Sequence, residues 1–140
     1  MTIRTANMAD LPVIAAHDQH ISPEELRNLI DLGRAAIAEE GECFLGWLRW
    51  NLFWDNTPFL NMLYLLEPHR GQGHGKAMMQ WWEAEMGKLG FSTVMTSTAS
   101  DEYAQHFYVN LGYTAVGGFT LPGAQELAAF ADLLGFDDQE

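Results

Sequence analysis

Apolar and polar positions along the chain switch between a strand-like period of about two and a helix-like period of about 3.6, and the switches mark out the elements. Ile3 to Ala6 reads as a short first strand, after which Asn7 or Asp10 can cap a helix running to about His17. "SPEEL" supplies Ser22 as a cap, Pro23 at the first helical position and Glu25 three residues after the cap, so a second helix is expected from Pro23 to about Leu32. Arg34 to Glu39, the turn "EEGE" and the aromatic-rich run Cys43 to Leu52 predict a hairpin. "FWDNTP" marks a loop, and Phe59 to Leu66 follows as an apolar strand. Met78, Trp82, Met86 and Leu89 then line one face of a helix ending near Gly90. Ser92 to Ser97 is a strand by composition; Ala104, Phe107, Tyr108 and Leu111 fall at helical spacing before a stop at Gly112; Tyr113 to Leu121 resumes as strand. Segment 124–134 suits helix by its alanines and strand by its place after a Pro-Gly turn.

This order predicts α/β architecture, a mixed sheet with helices packed on it, in one domain over residues 1–140, a length that suits a single core. An apolar share of 48% with five Trp and eight Phe excludes a disordered chain. The net charge of −12 argues against nucleic acid as a partner and favours a cationic one if long-range charge matters, although a solvated acidic face that keeps the protein monodisperse is the preferred explanation. No window has the apolar length of a membrane span or a secretion signal, so a soluble cytoplasmic protein is expected. Cys43, the sole cysteine, excludes an intrachain disulfide and reads as a small buried residue in its strand. His69, His74 and His106 have no metal-ligand spacing, so no metal is expected.

Chemistry concentrates in "RGQGHGK", Arg70 to Lys76, placed between an apolar strand and a helix. Glycines there expose N–H groups at the positive end of a helix dipole, the makings of an anion site. A Walker loop fails twice, since Arg70 stands where its first glycine belongs and Ala77 where its hydroxyl belongs. A dinucleotide fingerprint fails because its third glycine would fall on Lys76. R-x-x-G-x-G, through Arg70, Gly73 and Gly75, fits a pyrophosphate approaching successive N–H groups, while a ligand-free turn explains the loop alone equally well. Tyr108, in "AQHFYVNLGY", reads by itself as a core aromatic.

Taken together, strand, "RGQGHG", helix, strand and A-x-x-F-Y-x-x-x-G-Y resemble the GCN5-related N-acetyltransferase (GNAT) family, over nearly the whole chain up to Tyr113. The resemblance implies a central mixed, mostly antiparallel sheet flanked by helices and acetyl-coenzyme A as co-substrate. It implies that Arg70, Gly71, Gln72, Gly73, His74, Gly75 and Lys76 hold the pyrophosphate, and that backbone groups near Leu63, Leu65 and Leu66 meet the pantetheine arm. Tyr108 would protonate the departing thiolate. Asp101 stands where the family often has Asn and is carried as a contact to the cofactor arm. Val109 and Asn110 follow the tyrosine where basic residues are common, which leaves Lys76 or Arg70 to meet the ribose phosphate.

The implied reaction is direct attack of a primary amine on the thioester in a ternary complex, with a strand N–H to stabilise the oxyanion. His20, beside Asp18 between the first two helices, has a suitable ordinary pKa for the base, and Glu67 is a second candidate. Trp54 and Asp55 could wall an acceptor pocket and attract a cation. The acceptor, a small molecule or a peptide amine, is not legible, and a homodimer is a habit of the family only. The rival reading is a non-catalytic module that binds acyl-coenzyme A as a sensor.

Overall fold

The computed structural model describes residues 1–98 and 103–117, and the chain divides into two compact units, Met1–Thr96 and Ser97–Glu140. The first unit holds a five-stranded sheet of β1 (Thr2–Thr5), β2 (Ala35–Glu40), β3 (Cys43–Phe53), β4 (Thr57–Leu65) and β5 (Met95–Thr96) in that spatial order. The first four strands pair antiparallel, and β5 joins β4 in parallel. The mixed, mostly antiparallel sheet expected from the resemblance is therefore present. Its helices are α1 (Leu11–His17), α2 (Pro23–Asp31) and α3 (His74–Lys88); the second unit contributes α4 (Tyr103–Asn110).

Local sequence explains the boundaries. Asn7 and Asp10 form a reciprocal capping box around a 3-10 turn that leads into α1. The Ser22 hydroxyl accepts from the Glu25 N–H at the start of α2. α3 ends with Gly90 N–H bonded to Gly87 O and Phe91 N–H to Met86 O, and α4 ends with the same pair of bonds, Gly112 to Val109 and Tyr113 to Tyr108. Both stops fall where the glycines predict them.

Two apolar layers cover the sheet of the first unit. On one face Ile14 of α1 and Leu26 and Ile30 of α2 pack with Ile37, Trp47 and Met62. Alternate positions such as Ala36, Leu48 and Trp50 turn to the other face, where Ala36 and Trp50 share a groove with Trp81 and Met86 of α3. Met78, Met79, Trp82 and Met86 form the buried stripe of α3.

β4 changes face partway along. Arg49 pairs with Met62 and Trp50 with Leu60, so Asn61 is an extra residue in β4, a bulge. Cross-strand partners share a face, which puts Leu60 beside Trp50 but Met62 and Tyr64 beside Arg49 and Trp47. Without the bulge, Tyr64 would point to the α3 side.

Several expectations are corrected. "FWDNTP" is a tight hairpin turn rather than a loop, because β3 runs on to Phe53 and β4 begins at Thr57, with Asn56 N–H bonded to Phe53 O. β5 is two residues long instead of six. Leu89 lies past the last turn of α3, 63% exposed. Cys43 is exposed because it opens β3 at the end of the ladder, opposite Glu40, with its Sγ 3.9 Å from Nε2 of His69. Residues 113–117 form no strand; 118–121, segment 124–134 and Asp101 lie outside the described residues. Among the described residues no helix is long and apolar enough to cross a membrane, and no cluster of three metal-ligating side chains occurs.

Candidate active site

β4 delivers the chain into the glycine loop through a 3-10 turn at Glu67–His69. Gly71 and Gly73 adopt φ of 77° and 82°, the left-handed region that favours glycine, and Gly73 is the N-cap of α3. The first bond of the α3 ladder at its cap is Ala77 N–H to Gly73 O, so the N–H groups of His74, Gly75 and Lys76 precede it without intrahelical partners. A Cβ placed on Gly71 or Gly73 would meet nothing within 4 Å, so the loop is held by backbone conformation and its outer side stays open. Lys76 is exposed in the first turn, and Gln72 Nε2 reaches back to Pro68 O at 3.5 Å. This donor set, successive N–H groups at the positive end of a 15-residue helix with a cation beside them, fits a pyrophosphate.

The strand leading to the loop offers a second row of polar groups. β5 pairs with β4 only at Phe59 and Leu60, and among the described residues no strand covers the same edge of β4 beyond the bulge. Leu66 N–H donates to Leu45 O of β3 at 2.9 Å, so the peptide groups of Leu63 and Leu65 alternate outward to the open edge. Of the three residues expected to meet a pantetheine arm, Leu63 and Leu65 present their backbone there, whereas the Leu66 N–H is already bonded within the sheet. The Leu65 carbonyl accepts from Arg70 Nε at 2.8 Å, and the Arg70 guanidinium lies 4.9 Å from the centre of the Tyr64 ring.

The remaining candidates separate. Trp54 and Asp55 form the turn of the β3–β4 hairpin with φ of 51° and 63°, and Trp54 is 81% exposed. They sit at the other end of β4 from the glycine loop, roughly 25 Å along a strand rising about 3.3 Å per residue. Glu67 is exposed. His20 is half-buried, and its backbone N–H donates to Asp18 Oδ1 at 3.1 Å. Tyr108, in the second unit, is half-buried on α4 with its ring edge-on to Phe107 and Tyr113, at centroid distances of 5.2 and 5.6 Å.

Sequence reading missed the buried group beside His20. Asp18 is 3% exposed and Arg49 4%, with Arg49 Nε 2.7 Å and Nη2 3.3 Å from the carboxylate, and Trp47 Nε1 donates to it at 2.9 Å. A legible signal existed in "CFLGWLRW", where Trp47 and Arg49 share one face of a strand and a guanidinium in so apolar a run requires a carboxylate partner. A row of aromatic rings continues from this group, with His17 stacked on Phe44 at 5.5 Å, Phe44 on Trp47 at 6.1 Å and Tyr64 tilted against Trp47 at 4.9 Å, and ends under Arg70.

The acetyltransferase (GNAT) family model matches residues 3–113, through both units. No curated protein matches the sequence at a significant level. Among solved structures the chain is similar to an aminoglycoside antibiotic 6'-N-acetyltransferase from Acinetobacter haemolyticus, with 18% identity over 88% of this chain and 97% of that one and a TM-score of 0.70. A GNAT-family acetyltransferase from Bacillus cereus aligns with 20% identity over 88% and 89% of the two chains and a TM-score of 0.69. N-acetylglutamate synthase from Neisseria gonorrhoeae, complexed with coenzyme A and N-acetyl-glutamate, aligns with 18% identity over 94% of this chain but 32% of its own, with a TM-score of 0.74. At these identities the neighbours establish the fold, and the sequence match establishes descent: the chain belongs to the acetyltransferase (GNAT) family of acyl-coenzyme A-dependent transferases.

Proposed function

We propose that residues 1–140 act as one N-acetyltransferase domain that moves the acetyl group of acetyl-coenzyme A onto a primary amine by direct attack. The observation that carries this reading is the continuity of the open β4 edge with the glycine loop: Leu63 and Leu65 face outward, and the unpaired N–H groups of α3 begin within a dozen residues of them. Bound there, acetyl-coenzyme A would supply an activated thioester. The chain's own part is to hold the anion on the loop N–H groups, to align the arm along the strand edge and to manage two protons.

Tyr108 is the proposed donor to the sulfur. A phenol serves because its ordinary pKa is within a few units of a thiol's. His20 is the proposed base for the amine; its support is a backbone N–H bonded to the buried Asp18 carboxylate in the middle of the α1–α2 connection. The acceptor is proposed to be a small or peptide amine carrying positive charge, in keeping with the net charge of −12, and the working compartment the cytoplasm. Acceptors named for the neighbours, aminoglycoside among them, define the first amines to try.

The test is calorimetry with acetyl-coenzyme A and coenzyme A, followed by thiol release across cationic and neutral amines. Binding and amine-dependent thiol release are expected. Binding without release on any amine would favour the sensor, and no binding of either ligand would remove both readings.

A further inference from the structure

We infer that the groove at the C-terminal end of α3 is a second binding site, suited to a small aromatic carboxylate. It is separate from the glycine loop, because α3 starts at that loop and reaches the groove roughly 15–20 Å later at about 1.5 Å per residue. Its volume is about 460 Å³, the size of a small-molecule site.

The shape follows from side-chain size. Thr5 of β1 and Ala36 of β2 are cross-strand partners, and their short side chains leave a low floor on the α3 face of the sheet. Trp50 of β3 and Trp81 and Met86 of α3 rise beside that floor, with Trp50 and Met86 buried and Trp81 half-buried. An entering ligand therefore meets aromatic rings and a thioether, surfaces that favour a flat apolar body.

Charge then selects among flat ligands. Arg34 lines the groove from the start of β2 with its backbone tied on both sides: its N–H donates to Leu29 O at 2.8 Å, and its carbonyl accepts from the Trp50 N–H at 3.0 Å. Its guanidinium lies over the Trp50 ring, 5.2 Å from the centre, and donates to a neutral group, Asn51 Oδ1. Among the described residues Arg34 has no carboxylate partner, whereas Arg4, Arg49 and Lys88 each have one. That is a notable allotment in a chain with 19 acidic residues against seven Lys and Arg. The other charges lining the groove, Glu85 and Lys88, pair with each other at 3.0 Å. The unbalanced charge is thus the cation of Arg34, set among aromatic rings. A planar guanidinium takes a carboxylate through two parallel hydrogen bonds, so the complementary ligand is a carboxylate joined to an aromatic ring.

The probe is naphthoate, with naphthamide as its uncharged counterpart, each titrated into the full chain by calorimetry and followed by backbone-amide NMR. Naphthoate is expected to bind about tenfold to a hundredfold tighter than naphthamide, and to shift the signals of Arg34 and Trp81 while leaving Gly73 and Gly75 in place. Arg34→Met keeps the apolar stem against Trp50 and should erase the preference, weakening naphthoate by that factor and changing naphthamide by less than about threefold. Arg34→Lys, which keeps the charge without the planar fork, should retain part of it, and circular dichroism checks that both variants are folded. No binding of naphthoate, equal affinity for acid and amide, shifts at the glycine loop instead of the groove, or a preference that survives Arg34→Met would each overturn the inference. Self-association that buries Trp81 and that naphthoate does not reverse would give the groove to a second copy of the chain, and would overturn it too.

Discussion

At the residue scale, Tyr108 is the sharpest point of the proposed chemistry. Tyr108→Phe removes one hydroxyl from a half-buried ring that packs against Phe107 and Tyr113, so the helix should persist. Turnover is expected to fall about ten to a thousandfold with coenzyme A binding nearly intact, as read by steady-state kinetics beside calorimetry. Unchanged turnover would remove Tyr108 from the mechanism. The helix that carries it was legible because "FYVNLGY" is a local pattern whose helix and glycine stop formed as expected. Asp18 was not legible in the same way, since its partners Trp47 and Arg49 are 29 and 31 residues away and meet it only when β3 packs on the α1–α2 connection.

At the element scale, the close approach of β3 to β4 sets the backbone of the strand that leads to the glycine loop. A Cβ on Gly46 would overlap the Tyr64 carbonyl and crowd Leu65 Cα at 3.1 Å, so β3 needs a glycine opposite Leu65, one of the two residues whose peptide groups face away from β3. Gly46→Ala should lose about 1–3 kcal/mol, the usual range for overpacking, and weaken coenzyme A binding at the same time; denaturant titration and calorimetry test the two together. Normal binding in a destabilised variant would separate the edge from the site. A second element-level contact is acid-sensitive. Arg4 bonds Asp10 through two nitrogens at 2.8 and 2.9 Å and Glu39 at 2.8 Å, tying β1 to the following turn and to β2. The Arg4 hydrogen bond holds the Asp10 carboxyl below its ordinary value against the opposing effect of burial, and the Asn7 N–H adds to the lowering. A depressed folded pKa means stability that is present above the ordinary carboxylate range, about 4, and lost as pH falls through it towards the folded value. Asp10→Asn should accordingly destabilise the protein at pH 7 and flatten the decline that sets in below about pH 4, measured as denaturation midpoint against pH. Parallel curves for variant and wild type would contradict this.

At the scale of the whole molecule, the first unit is held by one buried ion pair as well as by its apolar layers. Arg49→Met leaves the Asp18 carboxylate buried with only Trp47 Nε1 and the His20 N–H as partners, and is expected to cost about 3–5 kcal/mol in denaturant unfolding. A loss below about 1 kcal/mol would mean that water reaches the carboxylate. Because the same carboxylate fixes the His20 backbone, activity measured well below the unfolding transition also reports whether His20 matters.

By itself the sequence determined what depends on neighbours along the chain: the caps at Asn7 and Ser22, the glycine stops of α3 and α4, the apolar stripe of α3 and the glycine loop after β4. Each rests on a few adjacent residues whose backbone preferences or periodicity act locally. Tertiary structure decided what depends on pairing between distant segments. The bulge at Asn61 turns Tyr64 to the α1–α2 side, the short β5 pairs with β4 only at Phe59 and Leu60, the long hairpin sets Trp54 and Asp55 at the other end of β4 from the glycine loop, and Asp18 finds Arg49. Register and strand length are fixed by cross-strand contacts, and a shift of one residue exchanges the faces of every side chain beyond it. "RGQGHGK" therefore announced the glycine loop, and only the fold showed that its first residue bonds the outward carbonyl of Leu65.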